Sequence, residues 1–191
     1  MKKLVLTLAI IAGLFGAVKA QDSNSASHTL DVNIASTALV DIEGGSSFTL
    51  TPTVSTEAGA QPFGFNGVTN NSLWLNYTSV KDADNATRSI TATLSYDDTN
   101  LPAGMNIVLT PDAAASGGSG DKGTVNESAI VLDQAQTNGH TFVTGIGSCY
   151  TGNGTNKGVN LIYSLQLNTT QFNTIEAGTY TATVTYTITD N

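Results

Sequence analysis

Few residues in this chain could act as nucleophiles or bases. The sequence contains two histidines, His28 and His140, and one cysteine, Cys149. A hydrolase triad needs a nucleophile, a base and an orienting acid held together, and neither histidine lies in a motif such as G-x-S-x-G or H-E-x-x-H. We therefore predict no catalytic residues and no enzymatic activity. A paired-carboxylate glycosidase site stays open as an alternative, because single acidic residues occur in many of the loops.

Cys149 lies in the stretch Gly-Ser-Cys-Tyr-Thr-Gly, between a strand-like run and a glycine-rich loop. A single cysteine cannot form a disulfide framework, so the fold must depend on its apolar core. The thiol could act as a nucleophile or form an intermolecular disulfide. We favour the simpler interpretation, a small buried apolar residue, because free cysteine is commonly buried.

Two acidic loops contain oxygen ligands of the kind that calcium prefers. Asp82-Ala-Asp-Asn85 and Asp97-Asp98 flank the same predicted strand at its opposite ends. Each loop offers only a few ligands, whereas calcium takes about six to eight. Carboxylates at turns commonly serve turn geometry and solubility. We predict no metal site and no cofactor.

Trp74 is the only tryptophan and lies in the predicted strand 73–80. Successive side chains of a strand point to opposite faces, so Trp74 shares its face with the polar Asn76 and Thr78. The opposite, apolar face carries Leu73, Leu75 and Tyr77. An exposed aromatic side chain on a sheet can stack on a sugar ring or anchor a partner. Trp74 is therefore the candidate glycan or partner contact; the alternative is that both faces of this strand are covered.

An alternating run near the N-terminus, His28–Ile34, places Leu30, Val32 and Ile34 on one face. A second run, Thr37–Ile42, follows almost directly. An alternating strand of this kind can fill a groove in a neighbouring molecule, pairing its backbone and inserting every second side chain. Alternatively, the same three side chains complete the core of their own chain. We predict Leu30, Val32 and Ile34 as the candidate self-association strand.

The beginning of the sequence has the features of a secretory signal peptide. Lys2-Lys3 precede the apolar run Leu4–Val18, which ends in Val18-Lys19-Ala20. We predict cleavage after Ala20 and a secreted or cell-surface protein that would cross the periplasm in a Gram-negative cell. Because the apolar run is shorter than the ~20 residues of a membrane span, we predict no span after cleavage.

Charge restricts the classes of partner. Three of the seven basic residues belong to the predicted signal peptide, so four remain against fifteen acidic ones, a net charge of −11. Nucleic acid and anionic membranes both attract basic surfaces, so neither is expected as a partner. The partners that remain are other copies of this chain, other surface proteins, or an extracellular glycan.

The closing stretch, 178–189, indicates the architecture that must position these residues. Tyr180, Ala182, Val184, Tyr186 and Ile188 alternate with threonines, which predicts a strand with one apolar and one hydroxyl face. Similar runs bounded by turn residues recur along the chain, and no stretch after Ala20 shows helical periodicity. We predict an all-β protein: a single antiparallel β-sandwich, immunoglobulin-like or pilin-like, of about eight to ten strands over residues 28–191, after a disordered segment 21–27.

The segment Ala177–Ile188, Ala-Gly-Thr-Tyr-Thr-Ala-Thr-Val-Thr-Tyr-Thr-Ile, resembles the final strand of several bacterial surface β-sandwiches. These include WxL-type cell-surface domains and spore coat U or fimbrial-subunit-like proteins. The chain departs from the WxL pattern, since Tyr186-Thr187-Ile188 and Trp74-Leu75-Asn76 replace its Trp-x-Leu sequences. His28–Ile42 is similar to the N-terminal segment of pilins that donate a strand. The resemblance implies a non-enzymatic structural or adhesive surface protein, such as a fibre subunit, with a glycan-binding module as the alternative.

Overall fold

A computed structural model describes residues 24–65, 67–84, 86–96, 101–113, 117–132 and 138–191. Contacts divide the chain into a unit that ends at Ile34 and a second unit, Ala35–Asn191. The predicted signal peptide and the Asp97-Asp98 turn lie outside the described residues. No helix within the described residues is long and apolar enough to cross a membrane.

The regular secondary structure of the second unit is almost all strand, as the sequence predicts. Eight strands have three or more residues: β1 Thr37–Glu43, β4 Thr69–Val80, β5 Arg88–Tyr96, β6 Met105–Ala113, β9 Ile130–Leu132, β10 His140–Ile146, β12 Val159–Leu167 and β13 Ala182–Asp190. Five two-residue strands complete the set: β2 Thr53–Val54, β3 Phe63–Gly64, β7 Ser119–Gly120, β8 Thr124–Val125 and β11 Cys149–Tyr150. A 3-10 helix, Thr169–Thr174, precedes β13.

The strands form antiparallel sheets that pack against each other as a β-sandwich. In the seven-stranded sheet, β12 pairs with β4 and β6, β9 pairs with β6, and β1 pairs with the other side of β4. The short strands β11 and β7 extend this sheet from the far end of β4. The four-stranded sheet has the order β13-β5-β10-β8, and β2 pairs with β3 as a separate hairpin. β1 and β13 are therefore both edge strands.

The core lies between the two large sheets and follows the alternation of the sequence. Leu75, Ile90 and Leu161 are fully buried from three different strands. The apolar residues of β13 are only half-buried, although its threonines are exposed as predicted. The reason is the position of β13 at the edge of its sheet, where only one neighbouring strand covers it.

A buried guanidinium connects the two sheets. Arg88, at the start of β5, is only 3% exposed. Its Nε donates to Asp190 Oδ1 at 2.6 Å, at the end of β13. Its other nitrogens donate to the opposite sheet. The acceptors are Ser79 Oγ and the Val80 carbonyl on β4, the Thr37 carbonyl at the start of β1, and Ser36 Oγ directly before β1. These bonds join both edge strands, β1 and β13, at one end of the sandwich.

The predicted strand His28–Ile34 is not formed within this chain. Residues 24–36 carry no strand assignment, and Leu30, Val32 and Ile34 are 77%, 74% and 76% exposed. These three side chains are therefore not buried in the described structure. Alternation favours an extended segment, but a strand also needs a partner for its backbone, and none of the described strands pairs with these residues.

The Arg88 network yields a test of stability. We expect Arg88→Met to lower the free energy of unfolding by several kcal/mol, because it leaves buried acceptors such as Ser79 Oγ without their donor, at about 1–3 kcal/mol each. Asp190→Asn is the matched control. Asparagine keeps an acceptor for Arg88 Nε but leaves the buried guanidinium without its counter-charge, so we expect a smaller loss of roughly 1–3 kcal/mol, which water around the 49% exposed Asp190 side chain moderates. Urea denaturation of both variants measures the difference; equal losses would show that Arg88 stabilises the fold only through its ion pair with Asp190.

Candidate functional site

The residues considered for catalysis do not converge. His28 is exposed in the N-terminal unit. His140 begins β10 in the four-stranded sheet, opposite Ala92, and its buried Nε2 has no hydrogen-bond partner in the described chain. Cys149 lies on β11, in the other sheet. Within the described residues, no group of three or more His, Cys, Asp or Glu side chains could hold a metal ion.

Cys149 is a free, buried thiol, as the simpler interpretation predicts. Burial raises the pKa of the Cys149 thiol, and the nearby Asp121 carboxylate raises it further. Lys122 and a hydrogen bond to the Ser79 backbone act in the opposite direction. A raised pKa keeps the thiol protonated, whereas nucleophilic cysteines need a lowered one.

Two cavities in the described part of the chain have volumes of about 110 and 280 Å³. Tyr77, Lys122 and Thr151 line the first, and the second follows the β7–β11 edge beside Cys149. Both are smaller than the roughly 300–1,000 Å³ of pockets that enclose a drug-sized ligand. Neither of these two cavities is lined by Trp74, Leu30, Val32 or Ile34.

Trp74 is half-buried on the outer face of the seven-stranded sheet, where strand register places it in a row of polar side chains. Glu43 of β1 lies opposite Trp74 on one side and Asn160 of β12 on the other, and Asp112 of β6 lies opposite Asn160. We call Glu43–Trp74–Asn160–Asp112 the Trp74 row. The predicted phase of this strand is confirmed, since Leu73, Leu75 and Tyr77 are buried in the core.

Asn76 lies on the same face as Trp74, two residues further along β4, and is covered. Its Nδ2 donates to the Gly154 carbonyl at 3.1 Å, which fixes the loop 152–158 against the sheet. Gly158 ends this loop with φ of 70°, and a Cβ atom there would lie 2.0 Å from the Leu75 carbonyl oxygen. Only glycine permits that approach. The loop therefore closes the face beyond Asn76 and leaves the Trp74 row beside it.

The N-terminal segment presents a different kind of surface. Leu30, Val32 and Ile34 are the most exposed large apolar side chains among the described residues. They occupy every second position, so in an extended backbone they would share one face. The residues between them, Asp31 and Asn33, are polar. The segment has the pattern of a half-buried strand without the surface that would bury it.

The open edges of the sandwich are the complementary feature. β1 pairs only with β4 and β13 only with β5, so each leaves one side of its backbone without a neighbouring strand in the described chain. Cα atoms of the two strands approach within 8 Å. Both contribute half-buried apolar side chains to the rim of the core, among them Val40, Ile42, Val184 and Ile188. An edge of this kind is a template for another strand.

No protein-family model, curated protein or solved structure significantly matches this chain. The resemblance to WxL-type or fimbrial-subunit-like proteins therefore stays a prediction from the sequence. The function has to be argued from the surfaces described above.

Tyr163 and Tyr186 join the two sheets inside the core through a hydrogen bond between their hydroxyl groups. Phe48 packs on Tyr163 with ring centroids 5.0 Å apart, and Phe142 meets Tyr186 edge-on at 5.7 Å. Burial raises the pKa of Tyr163 to about 12, although the bond to Tyr186 lowers it. The pKa of Tyr186 is raised as well, first by burial and then by Tyr163.

This pair predicts a loss of stability at high pH. We expect the pair to lower the free energy of unfolding as pH rises from the ordinary tyrosine pKa of 10.0 towards about 12, in addition to the losses that the raised pKa values of Cys149 and Tyr77 cause at alkaline pH. In that range the unfolded chain releases protons that the folded chain retains. Urea denaturation on either side of pH 10 measures the fall, which Tyr186→Phe should reduce. Tyr150→Phe, at a tyrosine that is 53% exposed, should leave it unchanged; the reverse result would contradict the assignment to the buried pair.

Proposed function

We propose that the protein is a secreted, non-enzymatic structural or adhesive protein of the cell surface, whose copies assemble by strand donation into a fibre. The observation that carries the proposal is the exposure of Leu30, Val32 and Ile34 at alternate positions of a segment without strand partners. Isolated exposed apolar residues are common on soluble proteins. Three exposed apolar residues at alternate positions of one short segment are a more specific sign of a strand that pairs with a partner.

The length and polarity of the segment suit an open edge of a second copy. His28–Ile34 spans seven residues, or about 23 Å when extended. β13 has nine residues and presents only one charged side chain, Asp190. Its free side would supply backbone hydrogen bonds to the incoming segment, and the half-buried side chains of β1 and β13 would line the position that the three apolar side chains enter.

The energetic gain is of the right order for assembly. Full burial contributes roughly 1.5–3 kcal/mol for each large apolar side chain. Further gain would come from backbone bonds and from covering the rim residues of β13. Association itself costs an estimated 4–15 kcal/mol. The three side chains therefore decide whether copies associate, and removing them should leave the sandwich itself intact.

Residue chemistry also supports a non-enzymatic function. The thiol of Cys149 is buried with a raised pKa, and its sheet differs from that of His140. The acidic charge and the predicted signal peptide suit an exported protein. An exported protein that assembles through its N-terminal segment is consistent with the buried thiol, the acidic charge and the predicted signal peptide.

The test is the mass in solution of the chain from Gln21 onwards. We expect the unchanged protein to form oligomers that resist mild heating, and the triple variant Leu30→Ser, Val32→Ser, Ile34→Ser to be a monomer with the same circular dichroism spectrum. The matched control is Thr29→Ser, Asp31→Ser, Asn33→Ser, which alters the other face of the same segment and should still assemble. Light scattering after size exclusion measures the mass.

Two results would contradict the proposal. The unchanged protein could be a monomer at all concentrations, or both triple variants could assemble equally. A third arm tests the mechanism directly: a synthetic peptide of residues 28–34 should bind the Leu30/Val32/Ile34 variant, whose open edge is unfilled, and a peptide with serine at those three positions should not.

A further inference from the structure

The Trp74 row has a composition that the proposed assembly does not use. Neighbouring strands lie about 4.7–4.9 Å apart, so the row from Glu43 to Asp112 extends over about 14 Å across four strands. It lies on the outer face of the seven-stranded sheet, opposite in phase to the core residues of the same strands. The row is a straight strip in which Asp112 is exposed, Glu43 and Trp74 are half-buried, and Asn160 is only 6% exposed.

Hydrogen bonds already present within the row determine what it can offer to a ligand. The Asn160 side chain is held by two backbone carbonyls, because its Nδ2 donates to Asn71 at 2.8 Å and to Leu73 at 2.9 Å. These bonds fix the orientation of the amide and use both of its donor hydrogens. Asn160 as a whole is only 6% exposed. Its Oδ1 forms no hydrogen bond among the described residues and is not one of the fully buried unpaired atoms, so this oxygen is the part of the side chain that can accept from a ligand.

The two ends of the row are also acceptors. Glu43 and Asp112 carry carboxylates, which only accept hydrogen bonds when ionised. Neither forms an ion pair among the described residues. A ligand lying along the row therefore meets three acceptors and one indole ring. It must supply hydrogen-bond donors at its edge and an apolar patch that can lie against an aromatic surface.

These requirements describe the surface of a sugar chain. Ring hydroxyls are donors, and the C–H face of a pyranose is an apolar patch that stacks on tryptophan. Two carboxylates in the row, on a chain of net charge −11 after signal cleavage, would repel a ligand that carries carboxylate, sulfate or phosphate groups. The length of the row suits a polymer more than a single sugar.

We propose that the Trp74 row binds a polysaccharide that is rich in hydroxyl groups and carries no anionic groups. Trp74 stacks on one sugar ring, while Glu43, Asn160 Oδ1 and Asp112 accept hydrogen bonds from hydroxyls on either side of it. The loop 152–158, fixed by Asn76, bounds the strip on one side. This site is independent of the N-terminal segment, so it would operate on a monomer and on an assembled fibre alike.

The experiment is affinity electrophoresis of the unchanged protein through gels that contain hydroxyethylcellulose or soluble chitin derivatives, with alginate as the anionic comparison. We expect retardation by at least one uncharged polymer and none by alginate. Trp74→Ala should weaken the retardation about tenfold or more, and Asp112→Asn should weaken it several-fold, because the amide accepts a weaker hydrogen bond than the carboxylate. Tyr150→Ala removes an exposed aromatic residue elsewhere on the same sheet and should change nothing.

Three results would overturn the proposal: retardation by alginate alone, retardation by no polymer, or equal retardation of the Trp74→Ala and unchanged proteins. Circular dichroism checks that each variant is folded, because Trp74 is half-buried and its replacement could disturb the sheet. If Trp74→Ala does not fold, Asp112→Asn decides, since Asp112 is exposed and outside the core. The Leu30/Val32/Ile34 variant should bind as the unchanged protein does, which separates this site from assembly.

Discussion

The structure depends on a buried charge. The guanidinium of Arg88 is removed from water and must find several partners at once, since an unpaired buried charge costs several kcal/mol. It finds them on both sheets: Asp190 on β13, Ser79 and the Val80 carbonyl on β4, and Ser36 and Thr37 at the start of β1. Satisfying this one group brings the ends of both edge strands together at one end of the sandwich.

Away from Arg88, the two edge strands have apolar side chains and one open side in the described part of the chain. Among the described residues, β1 and β13 each present half-buried apolar side chains and one backbone side without a neighbouring strand, a combination that natural sheets usually protect with charged residues or a covering element. From Ala182 to Thr189, β13 carries no charge at all. In the centre of the core, Leu75, Ile90 and Leu161 are fully buried, whereas the apolar side chains of β1 and β13 at its rim are only half-buried. Leu30, Val32 and Ile34 are exposed at alternate positions, as on the buried face of a strand, and on that ground we propose that they fill this rim in a second copy.

The two outer faces of the sandwich differ in chemistry. The outer face of β13 and of its partner β5 carries hydroxyl side chains, and their register aligns Thr185 with Thr93 and Thr187 with Thr91. Cross-strand threonine pairs stabilise a sheet without attracting a charged partner. The outer face of the other sheet carries Trp74 between acceptors. Of these two described faces, the second is the one that combines an indole ring with carboxylate and amide acceptors.

The sequence by itself determined the fold class and most of the strands. Alternation placed Arg88–Tyr96 and Val159–Leu167 at the observed bounds, because the side-chain period of a strand is local and is written in consecutive residues. It also placed Trp74 on the outer face and predicted the burial of Cys149. It did not give the strand partners: the Trp74 row joins residues from four separate strands, and the Arg88 network joins residues up to 102 positions apart. Only the tertiary structure decided these, and also that His28–Ile34 stays unpaired, because register and pairing depend on which strands become neighbours, and that is settled by the packing of the whole sandwich.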